Sequence, residues 1–251
     1  MDTIDYAIVV AHPDDEIIFA SSILKGAKKI IICFSDINGN QRVSKGREIL
    51  QKFYPYKNTK FLNISQSRSS EVKKIDYGSD EDEDAVKEYT NISDYKTNSK
   101  KLRNLLEEEL HGYTCIYTHN NVGEYGNAEH IQIHKIIMLL SNKFNYEVRV
   151  FGYYSSRNNR MLYSNIKLFK ENPQIKRTNL EVYTKLRDLY IKNNCWTWHR
   201  SYKLPKFEFF YLLDQNIKVN SKNSNLKFNY IYMSPISLRC RCLTLNPLKI
   251  S

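Results

Sequence analysis

The chain has 251 residues, 41% of them hydrophobic and 26% charged, long enough for one α/β domain with elaborations and able to bury a substantial core. No apolar run approaches a membrane span, and the N-terminus runs into a first strand without a signal peptide, so a cytoplasmic protein is expected. Five scattered cysteines, an odd number, argue against a disulfide framework, and the net charge of +11 raises nucleic acid as a partner to be weighed.

In chain order the pattern alternates strand and helix. Tyr6 to Val10 is a short apolar strand, and Asp15 to about Gly26 a helix with Ile17, Ile18, Ile23 and Leu24 inward. Lys29 to Phe34 is a continuous apolar strand holding Cys33, Val43 to about Phe53 a helix, and Lys60 to Ile64 a strand. A helix from about Lys96 to Leu110, a strand from Thr114 to Tyr117 holding Cys115, a helix from Ala128 to Ser141 and a strand from Glu147 to Tyr153 follow. Strands too apolar to face water, alternating with helices, predict a parallel sheet covered on both sides. Right-handed crossovers make this an α/β fold, a Rossmann-like three-layer sandwich with a mostly parallel sheet plus C-terminal elaborations. No glycine-rich dinucleotide fingerprint is present.

Beyond this core, Tyr154 to Lys176 has little periodicity and reads as a loop or lid near a site. Leu180 to Lys192 reads as a helix and Phe207 to Leu213 as a late strand. The expected domain is residues 1–213, with its core at about 5–155. Residues 214–251 form a basic extension with no acid after Asp214, which either adds a strand or stays partly disordered. Asp76 to Asp84 is an acidic, solvated loop without EF-hand spacing.

Two loops carry the chemistry. After the first strand comes Ala11-His12-Pro13-Asp14-Asp15-Glu16, and Pro13 cannot continue a ladder, so the chain turns there. A histidine and carboxylates then sit at the carboxyl end of a strand, where open α/β sheets place their ligands. An imidazole and a carboxylate supply two of the three protein ligands of a catalytic zinc, and the second carboxylate can act as a base. The same acids also suit the first turn of a helix, whose N-terminus attracts negative charge. The second loop, Tyr117-Thr118-His119 through Gly123-Glu124-Tyr125-Gly126-Asn127-Ala128-Glu129-His130, leads into a helix that His130 would open.

Together these segments resemble the PIG-L (LmbE-like) family of zinc-dependent N-deacetylases. That family carries AHPDDE after its first strand and a G-H-x-x-H motif preceded by a G-x-Y-G turn. The first motif is complete here; in the second, the final histidine is His130 and the first has become Asn127. The resemblance covers residues 5 to 155 and implies His12, Asp15 and His130 as metal ligands, with zinc as the cofactor, although a His₂-carboxylate set also suits Fe²⁺. It implies Asp14 as the base that deprotonates the metal-bound water and Tyr125 as an oxyanion donor. Asn127 cannot carry a proton, but its amide can donate to the oxyanion. The leaving-group proton would then come from Asp14 or from His119. The implied substrate is an N-acetylated amino sugar, an N-acetylhexosamine in a nucleotide sugar, glycoside or glycan intermediate. A sugar-binding pseudoenzyme of the same fold is the alternative.

Smaller expectations attach to other residues. Lys45 to Leu50 resembles the family's R-x-x-E helix with Lys45 in the place of its sugar-contacting arginine, a role Arg47 or Arg42 could take instead. Lys45 and Arg47 equally suit a solvated helix face. His119 is a further substrate-contact candidate. His134, one turn after His130, is expected to pack or support rather than ligate. Trp196 and Trp198 suit either a sugar face or core packing. Basic residues are dispersed and no nucleic-acid motif appears, so an anionic sugar substrate is a more economical reading of the charge than nucleic acid. Nothing in the sequence sets the oligomeric state.

Overall fold

In the computed structural model, residues 5–37, 39–67, 92–156, 158–159, 162, 169, 172–199, 202–213, 226–233 and 240–243 are described. The acidic stretch 76–84 and most of 157–171 and 214–251 lie outside them.

The first strand, β1 (Tyr6–Val10), owes its place to composition. Ala7, Ile8, Val9 and Val10 are all fully buried, two on each face of the sheet, as a β-branched run buried on both sides requires. Beside it lie β2 (Lys29–Asp36), β3 (Thr59–Ser65), β4 (Cys115–Thr118) and β5 (Glu147–Phe151), all parallel. Two antiparallel strands, β7 (Gln174–Arg177) and β8 (Phe207–Leu212), complete a seven-stranded sheet in the order β3-β2-β1-β4-β5-β8-β7. Helices α1 (Asp15–Phe19), α2 (Gln41–Phe53) and α6 (Leu180–Lys192) cover one face; α3 (Ile92–Leu110) and α5 (Ala128–Phe144) cover the other. A short α4 (Gly123–Gly126) lies in the second motif loop. The expected α/β sandwich is therefore what forms.

Strand order reverses between β1 and β4: the chain leaves β1 toward β2 on one side and returns to pair β4 on the other. Val9 pairs with Thr118, so the loops that follow these strands begin side by side. This is the switch point at which open sheets open a crevice.

Several elements differ from the pattern-based expectation, among them β7, which pairs with β8 at the end of the stretch read as a loop or lid. The first helix ends at Phe19 instead of near Gly26, and only a 3₁₀ turn at Leu24–Gly26 follows. Glu208, fully buried on β8, accepts from Ser21 Oγ, Ser22 N and Ser22 Oγ, drawing that backbone out of the helical ladder. The strand expected through Tyr153 divides at Gly152 into β5 and β6 (Tyr153–Ser155). A side chain at Gly152 would meet Phe209 Cβ at 2.8 Å, so glycine permits the close crossing. The basic extension supplies β9 (Asn229–Met233) and β10 (Cys240–Leu243), which join β6 in a separate three-stranded sheet and leave the main one alone. No helix among the described residues is long and apolar enough to cross a membrane.

Candidate active site

Each motif residue is set by its strand end. His12, Asp14 and Asp15 follow β1 directly, and Ala11 N donates to His119 Nε2 at 2.9 Å, tying the two loops together. Three donor atoms converge there: His12 Nδ1 to Asp15 Oδ2 is 3.1 Å, His130 Nε2 to Asp15 Oδ2 3.2 Å, and His130 Nε2 to His12 Nδ1 3.3 Å. All three residues are buried. Two ligands about 2.1 Å from one ion lie about 3.4 Å apart at a tetrahedral angle and about 3.0 Å apart at a right angle. The observed triangle falls between these values, so His12, Asp15 and His130 fit a single divalent cation.

The surrounding carboxylates explain why these atoms offer lone pairs. His12 Nε2 lies 2.6 Å from Glu129 Oε2, and His130 Nδ1 lies 2.6 Å from Glu124 Oε2. A carboxylate can only accept, so each imidazole donates one N–H outward, and the nitrogen facing Asp15 offers its lone pair once a cation displaces the proton there. Glu129 is anchored in turn by Ser67 N, and Glu124 by Asn120 N. Burial opposes charge on His130, but the negative charges of Asp15 and Glu124 outweigh it and push the ring up to about 10. Burial likewise opposes ionisation of Asp15, yet the two histidines hold it well below the usual carboxylate range. Both shifts report one preference: positive charge belongs between these groups.

Asp14 stands apart. Its backbone is left-handed, φ 101°, a conformation a non-glycine residue adopts only when its surroundings impose it. Here the surroundings are Glu16, which accepts from Asp14 N at 3.0 Å and is itself gripped by Tyr54 and Tyr190 hydroxyls at 2.8 and 2.6 Å. The Asp14 carboxylate accepts from Thr197 N at 3.1 Å and Thr197 Oγ1 at 2.5 Å. Burial first, then the charge of Asp15, push its pKa up to about 7, against the opposing pull of Arg47 and Thr197. A carboxylate poised near neutrality is what proton transfer at physiological pH requires.

Tyr125 packs edge-on against His130 and Trp198. Asn127 caps α5: its Oδ1 accepts from Glu129 N and His130 N, and its Nδ2 donates to the Tyr125 hydroxyl at 3.2 Å. The Asn127 amide N–H is therefore directed at the Tyr125 hydroxyl. His119 needs correcting as a substrate contact or proton source. It is fully buried, its Nε2 accepts from Ala11 N, and its Nδ1 faces Glu124 at 2.9 Å, so both nitrogens are committed to holding the loops. His134 bonds His119 O through Nδ1 and supports the same loop. Arg47 is no solvated helix charge: it is 1% exposed, donates to Phe34 O, and its charge is felt at Asp14. Lys45 is exposed and lines a cavity between β2 and α2 with Asp36 and Glu48.

Sequence reasoning passed over Glu16, Glu124, Glu129 and Thr197. The three glutamates lie inside the motifs, and adjacency to a ligand or base was the available signal. Thr197 sits between the two tryptophans with no local mark of its partner 183 residues away.

The PIG-L profile, described as GlcNAc-PI de-N-acetylase, matches residues 7–141, more than half of the chain. The chain belongs to the PIG-L family. An uncharacterized protein, L374, of Acanthamoeba polyphaga mimivirus is 30% identical over 139 residues, 53% of this chain and 56% of that protein, so the match spans little more than half of the relative. The A40926 pseudoaglycone deacetylase Dbv21 shares the fold with a TM-score of 0.52 at 9% identity, covering 87% of this chain and all of that one. The PIG-L match ends before α6, so Tyr190, Thr197 and Glu208 lie outside the matched residues.

If Glu124 and Glu129 fix the imidazole tautomers, Glu124→Gln and Glu129→Gln should each weaken zinc affinity by about 10- to 100-fold while leaving the fold intact. Competition with a chromophoric chelator measures this. Unchanged affinity in both variants contradicts the assigned tautomers.

Proposed function

We propose that this chain is a metal-dependent N-deacetylase, most economically a zinc enzyme. It hydrolyses the N-acetyl group of an N-acetylhexosamine carried on a larger, soluble anionic molecule, giving acetate and a free amine. The observation that supports this reading best is the convergence of two imidazole nitrogens and a carboxylate beside a second carboxylate on a strained backbone. A divalent cation bound by His12, Asp15 and His130 supplies Lewis-acid polarisation and a lowered water pKa.

The chain's own groups do the rest. Asp14, held by Thr197, takes the proton from the attacking water as its oxygen bonds the acetyl carbon. Tyr125, whose hydroxyl oxygen accepts from Asn127 Nδ2, donates its own hydrogen to the oxygen that becomes negative. As the carbon–nitrogen bond breaks, Asp14 returns its proton to the leaving amine. Using one group twice answers the replacement of the family's first motif histidine by Asn127, because His119 is committed elsewhere. The family supports the amide chemistry and the N-acetyl sugar; the net charge of +11 supports the anionic carrier.

Acetate release across a panel of N-acetylated sugars, with and without chelator, tests the reaction. The expectation is chelator-sensitive release from at least one, with kcat/KM falling as pH drops through about 7, because protonated Asp14 can no longer accept a proton. No release from any of them by folded, zinc-loaded protein favours the sugar-binding pseudoenzyme.

Asn127 separates capping from catalysis. Asn127→Ala removes both the cap and the bond to Tyr125, and should lower turnover by roughly ten- to a thousandfold and stability by about 1 kcal/mol. Asn127→Ser keeps a capping oxygen, so its melting temperature should recover while turnover does not. Full turnover in the serine variant contradicts the donor role.

A further inference from the structure

Next to the site lies a cavity of about 460 Å³, within the size range of small-ligand pockets. The indoles of Trp196 and Trp198 with Val43 and Ile191 form its apolar walls, and Asn40, Arg42 and Asn194 its polar part. Two contacts join it to the catalytic groups. Thr197, between the two tryptophans, bonds the Asp14 carboxylate, and Trp198 packs against Tyr125 with ring centroids 5.6 Å apart. Residues on or between its walls thus touch Asp14 and Tyr125 directly.

Its charge is one-sided. Arg42 is the single ionisable residue on its walls, and it makes no salt bridge among the described residues. Arg42 is exposed and Nη2 donates to Asn194 Oδ1 at 2.5 Å, which orients the guanidinium and uses one of its five N–H donors. Trp196 Nε1 is a buried donor with no partner among the described residues. Two other cavities differ. The one between β2 and α2 carries Asp36 and Glu48, and the one beside α3 carries Glu107 and Glu108, so both present carboxylates to an incoming anion.

We propose that this cavity is the subsite for the part of the substrate beyond the N-acetyl sugar. Its occupant is a glycosyl or nucleoside unit carrying an anionic group, with the ring against the indoles and the phosphate or carboxylate on Arg42. The inference rests on the deacetylase reading and extends it to substrate choice. Flat apolar faces beside a fixed guanidinium are the chemistry that selects a ring bearing an oxyanion. Arg42, Trp196 and Trp198 are specificity residues in this scheme and take no part in bond breaking.

Calorimetric binding in an Asp14→Asn background, where turnover is suppressed, separates the subsite from the reaction. The probes are UDP-N-acetylglucosamine for a phosphate, N-acetylmuramic acid for a carboxylate, and N,N′-diacetylchitobiose as the neutral control. At least one anionic probe should bind more tightly than chitobiose and quench tryptophan fluorescence. Adding Arg42→Gln should weaken that probe about tenfold, the worth of one exposed charge-assisted contact, and change chitobiose binding by less than about twofold. Raised salt should weaken the anionic probe alone. Equal weakening of all probes, no weakening, tighter binding of chitobiose, or no binding to folded protein each overturns the subsite. Arg42-dependent binding without acetate release by the unmodified chain would retain the subsite and remove the hydrolysis. Acetate release without Arg42 dependence would do the reverse.

Discussion

Two imidazole nitrogens and a carboxylate oxygen within 3.3 Å of one another require positive charge between them, a proton or a cation, and the rest of the site is built to hold them there. Glu124 and Glu129 hold the outward N–H groups of the two imidazoles, and neither glutamate can be exchanged for a donor without reversing a tautomer. The carboxylates are buried, which strengthens their pull and makes their own anchoring by Ser67 and Asn120 necessary. Glu124 adopts φ 52° and ψ −58° to reach both His119 and His130, so backbone strain is spent where the geometry matters most.

The adjacency of β1 and β4 makes this possible. Only at the switch point do two loops from distant sequence leave neighbouring strand ends without a strand between them. Behind that edge the C-terminal part closes the site. Gly46 lets α2 approach the end of α6 so closely that a side chain there would meet Asn193 O at 2.1 Å. That contact seats Asn193 to Trp198, and with them Thr197 on Asp14. Tyr190 of α6 and Tyr54 meet on Glu16, which holds the strained turn of Asp14. The family's motif loops thus depend on residues the motifs do not contain.

How much was legible follows from range. Strands β1, β2 and β4 and helix α6 announced themselves, because continuous β-branched runs and a capped amphipathic stretch are local signals. The motif residues His12, Asp15 and His130 were legible through the resemblance of two loops to the family's motifs, and the structure brings their donor atoms together. What stayed hidden was set by partners far away. The early end of α1 depends on Glu208, some 187 residues later; the division at Gly152 depends on Phe209; His119 looked available until both its nitrogens found partners. Arg47 could equally have faced solvent, and its burial follows from helix orientation that periodicity alone did not decide.

The convergence of His12, Asp15 and His130 on one cation is the claim on which the rest stands. Zinc stoichiometry of the purified chain, measured beside His12→Ala, Asp15→Ala and His130→Ala, tests it directly. The account predicts one ion per chain in the unaltered protein and loss of tight binding in each variant. Full stoichiometry retained in all three would contradict it.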